Sequence, residues 1–222
     1  MTMTLFGPAR HDQARHDPVR RGFTAALAAI MIAGVIALPA QARKGPPEAV
    51  VKAYYAVLVS TLKDAKTLGF DGRYKRLEPA IRDTFNNHFI TAVATGFYWR
   101  KFDAAQKKTL TGLMVRLSTA TYASRFKSYA GEQFKVLTSK TTERGDTIVE
   151  TQIVKRDGEK VRINYLLRKA GEDWRIIDVH LKGTISELAK WRAEFSSVLR
   201  RSGYDGLVKA IETKIERLKG GA

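Results

Sequence analysis

The chain has 222 residues, with 39 Lys+Arg against 22 Asp+Glu and a formal net charge of +17. That excess predicts an anionic partner: nucleic acid, a membrane surface, an acidic lipid or an acidic protein. The absence of cysteine excludes disulfides and thiolate metal sites, and the four histidines show no paired ligand spacing, so no metal is expected.

Arg20-Arg21 precede an uncharged apolar run from Phe23 to Leu38, and Ala40 and Ala42 supply a small-residue cleavage site. These are the three parts of a secretory signal peptide, so residues 1–42 are expected to be removed after Ala42 and residues 43–222 to form one domain. The apolar run is too short to span a membrane comfortably. The stretch "RRGF" resembles a twin-arginine signal, with Thr24 where leucine is preferred. Both export routes lead out of the cytoplasm, which argues against a nucleic-acid partner. Only four Arg and two Asp are lost with this segment, so the positive charge belongs to the folded part.

Along the remainder, Val51, Tyr55, Leu58 and Leu62 form one helical stripe within residues 48–68. "LGFDGR" breaks it, and Leu77, Ile81 and Phe85 mark a shorter helix. "NNHFITAVATGFYW" reads as helical up to Gly96. Asp103 with Gln106 forms a capping-box pattern opening a helix that extends to about Tyr129. Its stripe starts with Leu110, Leu113, Met114 and Leu117, then rotates to Tyr122, Phe126 and Tyr129.

Residues 133–181 alternate instead. Val149, Thr151 and Ile153 face the same way, as do Val161, Ile163, Tyr165 and Leu167. A two-residue Asp-Gly turn would pair Val154 with Val161. A three-residue loop, Arg156-Asp157-Gly158, pairs Ile153 with Val161 and Lys155 with Glu159, gathering the apolar residues on one face. The second register is preferred. Residues 133–142 and 174–181 complete the strands, and the inward face of the last stays undetermined. After Gly183, Leu188, Trp191, Phe195, Val198 and Leu199 share a helical stripe. Gly203 is a C-cap, and Asp205 opens a last helix with Leu207, Ile211, Ile215 and Leu218 buried. The class is α+β, a curved antiparallel sheet covered by N- and C-terminal helices.

No phosphate-cradling loop, nucleophile motif or cofactor-binding pattern occurs, so no cofactor is expected. His180 and Ser186 lie near each other in sequence without such a motif. Asp178, on an otherwise apolar strand, reads either as a carboxylate bonded to a neighbouring turn or arginine, or as a pocket base of raised pKa. Gly183 marks a backbone requirement and a hinge between strand and helix.

The run "DWRIIDVHLKGTISELAKWRAEFSSVLRRSGYDGLVKAI" resembles the C-terminal signature of the MlaC/toluene-tolerance family, through Trp174, Asp178, Gly183, Ser186, Gly203, Asp205, Gly206 and Leu207. The upstream "GFYW" and "TYASRFKSYA" fit the same pattern. "GTISELA" is closer to the branch associated with hopanoid biosynthesis. The resemblance implies an NTF2-like cone and a periplasmic, non-enzymatic carrier of lipid, phospholipid or hopanoid. It implies service to an ABC-type lipid transport system, between an inner-membrane ABC lipid transporter complex and an outer-membrane lipoprotein complex. The expected lipid-tail contacts are Val57, Phe97, Leu117, Val149, Ile153, Val161, Ile163 and Tyr165, with Arg125 and Lys127 at the headgroup or partner surface. Two competing readings are an NTF2-like isomerase or dehydratase with Asp178 as base, and an exported basic adaptor that holds no ligand.

Overall fold

A computed structural model describes residues 45–221. The expected signal peptide lies outside the described residues.

Helix α1 (Pro47–Lys63) starts with proline in its first turn, where a missing N–H breaks no helical bond. Its stripe residues Val51, Tyr55, Leu58 and Leu62 are all buried. The expected longer helix is divided at Asp64 (φ −97°, ψ 9°), after which α2 (Ala65–Thr84) begins. The break expected in "LGFDGR" falls at Gly69, whose φ 60° and ψ −169° only glycine adopts cheaply. The chain resumes its helix directly after it. Helix α3 (Asn87–Thr95) opens with Asn86, whose side chain accepts from Phe89 N at 3.1 Å. A 3₁₀ turn, Gly96–Lys101, follows.

Helix α4 (Ala104–Arg125) carries the expected capping box: Asp103 accepts from Gln106 N at 2.7 Å, and Gln106 accepts from Asp103 N at 3.1 Å. It ends at Arg125, short of Tyr129, because Phe126 leaves helical geometry (φ −100°, ψ 69°). Buried Arg73 takes over a carbonyl of that last turn, donating to Ala123 O at 2.9 Å and to Ala65 O at 2.9 Å. One α2 side chain thus ties the end of α4 to the kinked start of α2.

Strands β1 (Gln133–Thr141), β2 (Thr147–Val154), β3 (Lys160–Ala170), β4 (Asp173–Leu181) and β5 (Ile185–Ser186) form one antiparallel sheet in sequence order. The β2–β3 register pairs Ile153 with Val161, Thr151 with Ile163 and Val149 with Tyr165. Lys155 N donates to Glu159 O at 2.8 Å, and Gly158 has φ 85°. This is the three-residue loop preferred from the sequence, and it directs the apolar set towards the helices. Tyr55 of α1 reaches that face, its hydroxyl 2.6 Å from Thr151 Oγ1.

In β4 the register with β3 shifts between Leu166 and Leu167, leaving Ile177 bulged. Ile176, Ile177 and Asp178 are consequently all buried in succession. A bulge removes the simple alternation, which is why the sequence shows no clean face here.

Helix α5 (Glu187–Lys219) is interrupted at Gly203 (φ 63°, ψ −161°), the position expected to end one helix and begin another. Phe195 and Leu199 before the break, and Leu207, Ile211 and Ile215 after it, are buried in the core. Mixed α+β architecture follows: helices at both ends of the chain pack against one face of an antiparallel sheet.

Candidate functional site

Tyr54, Tyr55 and Tyr165 are almost fully buried where α1 meets the sheet, and their rings meet Phe85, Tyr122 and Phe134 edge to face at 5.1–5.7 Å. Burial raises all four phenols, Tyr55 to about 12. They remain neutral at any physiological pH. This aromatic layer fills the space under α1 and forms a floor.

Beside the floor, between α4, strands β3 and β4 and the first turns of α5, the packing stops. A cavity of about 180 Å³ opens there. Its wall comes from Tyr122 of α4, Phe126 just past its end, Ile163 and Tyr165 of β3, and Leu188 and Trp191 of α5. The α4 stripe that rotates towards Tyr122 and Phe126 therefore turns from core into cavity. An engineered cavity of about 150 Å³ with apolar walls stays dry and takes up benzene. The space here suits hydrocarbon in the same way.

The charged groups of the lining are Arg125, Asp178 and Glu187, with Ser118 and Thr121 as its hydroxyls besides the tyrosines. Arg125, half exposed, reaches Glu187 Oε2 at 3.8 Å, and Lys190 approaches the other oxygen of Glu187 at 3.9 Å. Arg125 and Glu187 both line the cavity, so this ion pair bridges α4 and α5 along its edge.

Asp178 fastens the first turn of α5 to β4. Its Oδ1 accepts from Leu188 N at 3.0 Å and Val179 N at 2.7 Å, while Oδ2 accepts from Ser186 Oγ at 2.5 Å. His180 Nε2 lies 3.1 Å from the same Oδ2. Ser186 is also the helix cap, accepting from Ala189 N at 2.9 Å. Burial pushes the Asp178 carboxyl up, but the hydrogen bonds from His180, Ser186 and Leu188 outweigh it and hold it below the ordinary value. Hydrogen bonding to Asp178 raises His180. A general base working near neutrality needs a raised carboxyl with a free lone pair, and Asp178 has neither property. Its geometry is that of a bonded turn.

The expected hinge at Gly183 is a three-residue hairpin loop, Lys182-Gly183-Thr184, with Leu181 paired to Ile185. Lys182 (φ 52°) and Gly183 (φ 83°) both lie in the left-handed region, and Thr184 N bonds Leu181 O at 3.2 Å. Asn164 Nδ2 holds Gly183 O at 3.2 Å. The strand thus turns back on itself for two residues before α5 starts.

Ile153, Ile163 and Tyr165 of the expected contacts stand on the cavity wall, as does Arg125. Val57, Leu117 and Val149 are fully buried in the core beside it. Val161 is half buried on the same sheet face, and Phe97 stands out into solvent on the 3₁₀ turn, 63% exposed. Lys127 is exposed just past the end of α4. The wall residues Ile177, Val179, Leu188 and Trp191 were not among those expected. Leu188 and Trp191 did appear as an apolar helical stripe, but a stripe does not say whether it meets side chains or a hollow.

The family described as "MlaC protein" matches residues 52–213. The chain belongs to the MlaC family. Among solved structures it is similar to a phospholipid-binding protein from Ralstonia solanacearum, determined in complex with a phospholipid. The two are 19% identical, with a TM-score of 0.69, over 78% of this chain and 99% of the other. The likeness shows a common fold. No curated protein matches the chain.

Proposed function

We propose that this MlaC-family protein is a soluble carrier that encloses lipid tails between α4, the inward face of β3–β4 and the first turns of α5. The observation that carries the reading is the apolar cavity with its ionic edge at Arg125 and Glu187. Exposed hydrocarbon costs about 0.8 kcal/mol per CH₂ in water, so a tail gains most where a dry wall replaces solvent. The bound phospholipid of the Ralstonia protein favours phospholipid over hopanoid as the cargo.

The cavity volume is below the range of roughly 300–1,000 Å³ that encloses a drug-sized ligand. Full tails therefore require the walls to part. The movable wall is the start of α5, which is held by polar contacts at Asp178 and Glu187. Opening there widens the space while leaving the aromatic floor intact.

In this reading the N-terminal segment is a signal peptide and the working location is the periplasm. The carrier exchanges lipid with an inner-membrane ABC transporter complex and an outer-membrane lipoprotein complex. No helix among the described residues is long and apolar enough to cross a membrane. The test is organic extraction of the purified protein followed by mass spectrometry. About one equivalent of phospholipid per chain is expected, and protein that stays empty after incubation with phospholipid would contradict the proposal.

A further inference from the structure

Phe97, at 63% exposed, is the most solvent-accessible of the large hydrophobic side chains among the described residues. It does not stand alone. The 3₁₀ turn that carries it reads Gly96-Phe97-Tyr98-Trp99-Arg100-Lys101, with Tyr98 and Trp99 half buried and Arg100 and Lys101 exposed. Lys101 Nζ sits 4.8 Å above the Phe97 ring and 6.0 Å from the Tyr98 ring, and Lys107 Nζ lies 5.8 Å from the Trp99 ring. Arg192 lies against Gly96, its Nε 3.9 Å from where a β-carbon would stand.

Among the described residues, no carboxylate forms an ion pair with Arg100, Lys101, Lys107, Lys108 or Arg192. The nearby Asp103 is turned into its own helix cap. The turn itself is rigidly based: Trp99 packs on His88 of α3 and on Phe102, which in turn meets Tyr204 of α5.

We infer that this aromatic turn and its cations are a docking surface for an anionic phospholipid bilayer. Aromatic side chains with one apolar and one polar end settle at the headgroup level of a membrane. Cations beside an inserted ring add attraction to acidic headgroups, each Lys or Arg near the surface contributing about fivefold in partitioning. An acidic protein surface would satisfy the cations, but would not need the exposed Phe97 ring. The helices beneath the patch, α3 and α5, also supply Ile90 and Trp191 to the cavity wall. Docking would therefore bear on the two elements that border the hollow. The inference does not depend on the carrier reading, since protein with an empty cavity would dock equally.

The test is co-sedimentation of the purified protein with vesicles of phosphatidylcholine containing phosphatidylglycerol, against vesicles of phosphatidylcholine alone. The wild type binds the anionic vesicles, and Phe97→Ala lowers partitioning about tenfold, in line with the loss of one inserted aromatic ring. Arg100→Gln with Lys101→Gln lowers it by more than Arg156→Gln with Lys160→Gln, a change of equal charge at the exposed β2–β3 loop. Thermal unfolding checks that the variants fold. Equal losses from the two charge pairs, or wild-type binding by Phe97→Ala, would overturn the inference. So would a wild type that ignores anionic vesicles.

Discussion

Asp178→Asn isolates the fastening between β4 and α5. The substitution keeps the shape of the side chain but removes the charge that Ser186 Oγ, Leu188 N and His180 face at 2.5, 3.0 and 3.1 Å. A hydrogen bond to a charged group contributes about 1.5–3 kcal/mol net. An asparagine retains one acceptor oxygen, so not all three are lost, and neighbouring contacts do not add simply. The expected loss is about 2–3 kcal/mol, or about 5–10 °C in Tm for a chain of this size. Total stabilities of about 5–15 kcal/mol leave the variant folded.

The dependence on pH follows from the two shifts. Asp178 is held low, so its contribution is present above the unfolded carboxyl value and disappears as pH falls through the folded one. His180 is held high, so its contribution is complete below the unfolded value of 6.5 and disappears as pH rises through the folded one. The cost of Asp178→Asn is therefore largest between about pH 4 and 6.5 and shrinks as pH rises through the folded value of His180, where the imidazolium loses its charge while the bonds from Ser186, Leu188 and Val179 persist. Urea unfolding of wild type and variant at pH 5.5 and 8.5 measures both effects. A loss below about 0.5 kcal/mol at pH 5.5 would refute the argument, because that is the size of an ordinary surface change.

Four further outcomes follow from the same geometry. Ile163→Trp, at the cavity wall, is expected to fold and to hold less lipid by extraction and mass spectrometry, whereas Val149→Trp, in filled core, costs about 1–3 kcal/mol or more in urea. Lys182→Gly relieves a left-handed residue and should raise stability by about 1 kcal/mol in the same assay. Gly203→Ala forces a β-carbon into the conformation that divides α5 and should lower stability by about 1–3 kcal/mol. Arg125→Ala removes an exposed partner of Glu187 and should change stability by no more than about 1 kcal/mol. It should also speed lipid exchange into acceptor vesicles, if the ion pair restrains the start of α5.

The sequence carried most of the fold because its strongest signals are local. Glycine at 69 and 203 interrupts a helical pattern, and the structure uses both for conformations other residues avoid. The capping box at Asp103 needs only four consecutive residues, and the β2–β3 register follows from keeping one apolar face. The site was less legible. Periodicity identifies a buried face without distinguishing Leu117, which meets protein, from Tyr122 on the same helix, which meets a hollow. Phe97 has the composition of a core residue, yet the 3₁₀ turn swings it outward. The bulge at Ile177 hid the inward face of β4, and with it three apolar wall residues, Ile177, Val179 and Leu181.

Crosslinking gives the most direct examination of where tails reside. The purified protein is loaded with a phospholipid bearing a photoreactive group near the end of one acyl chain, irradiated, digested and read by tandem mass spectrometry. Adducts are expected on Ile163, Tyr165, Leu188 or Trp191, from the sheet and α5 walls together. Adducts confined to surfaces away from this cavity, with its wall residues unlabelled, would contradict the account.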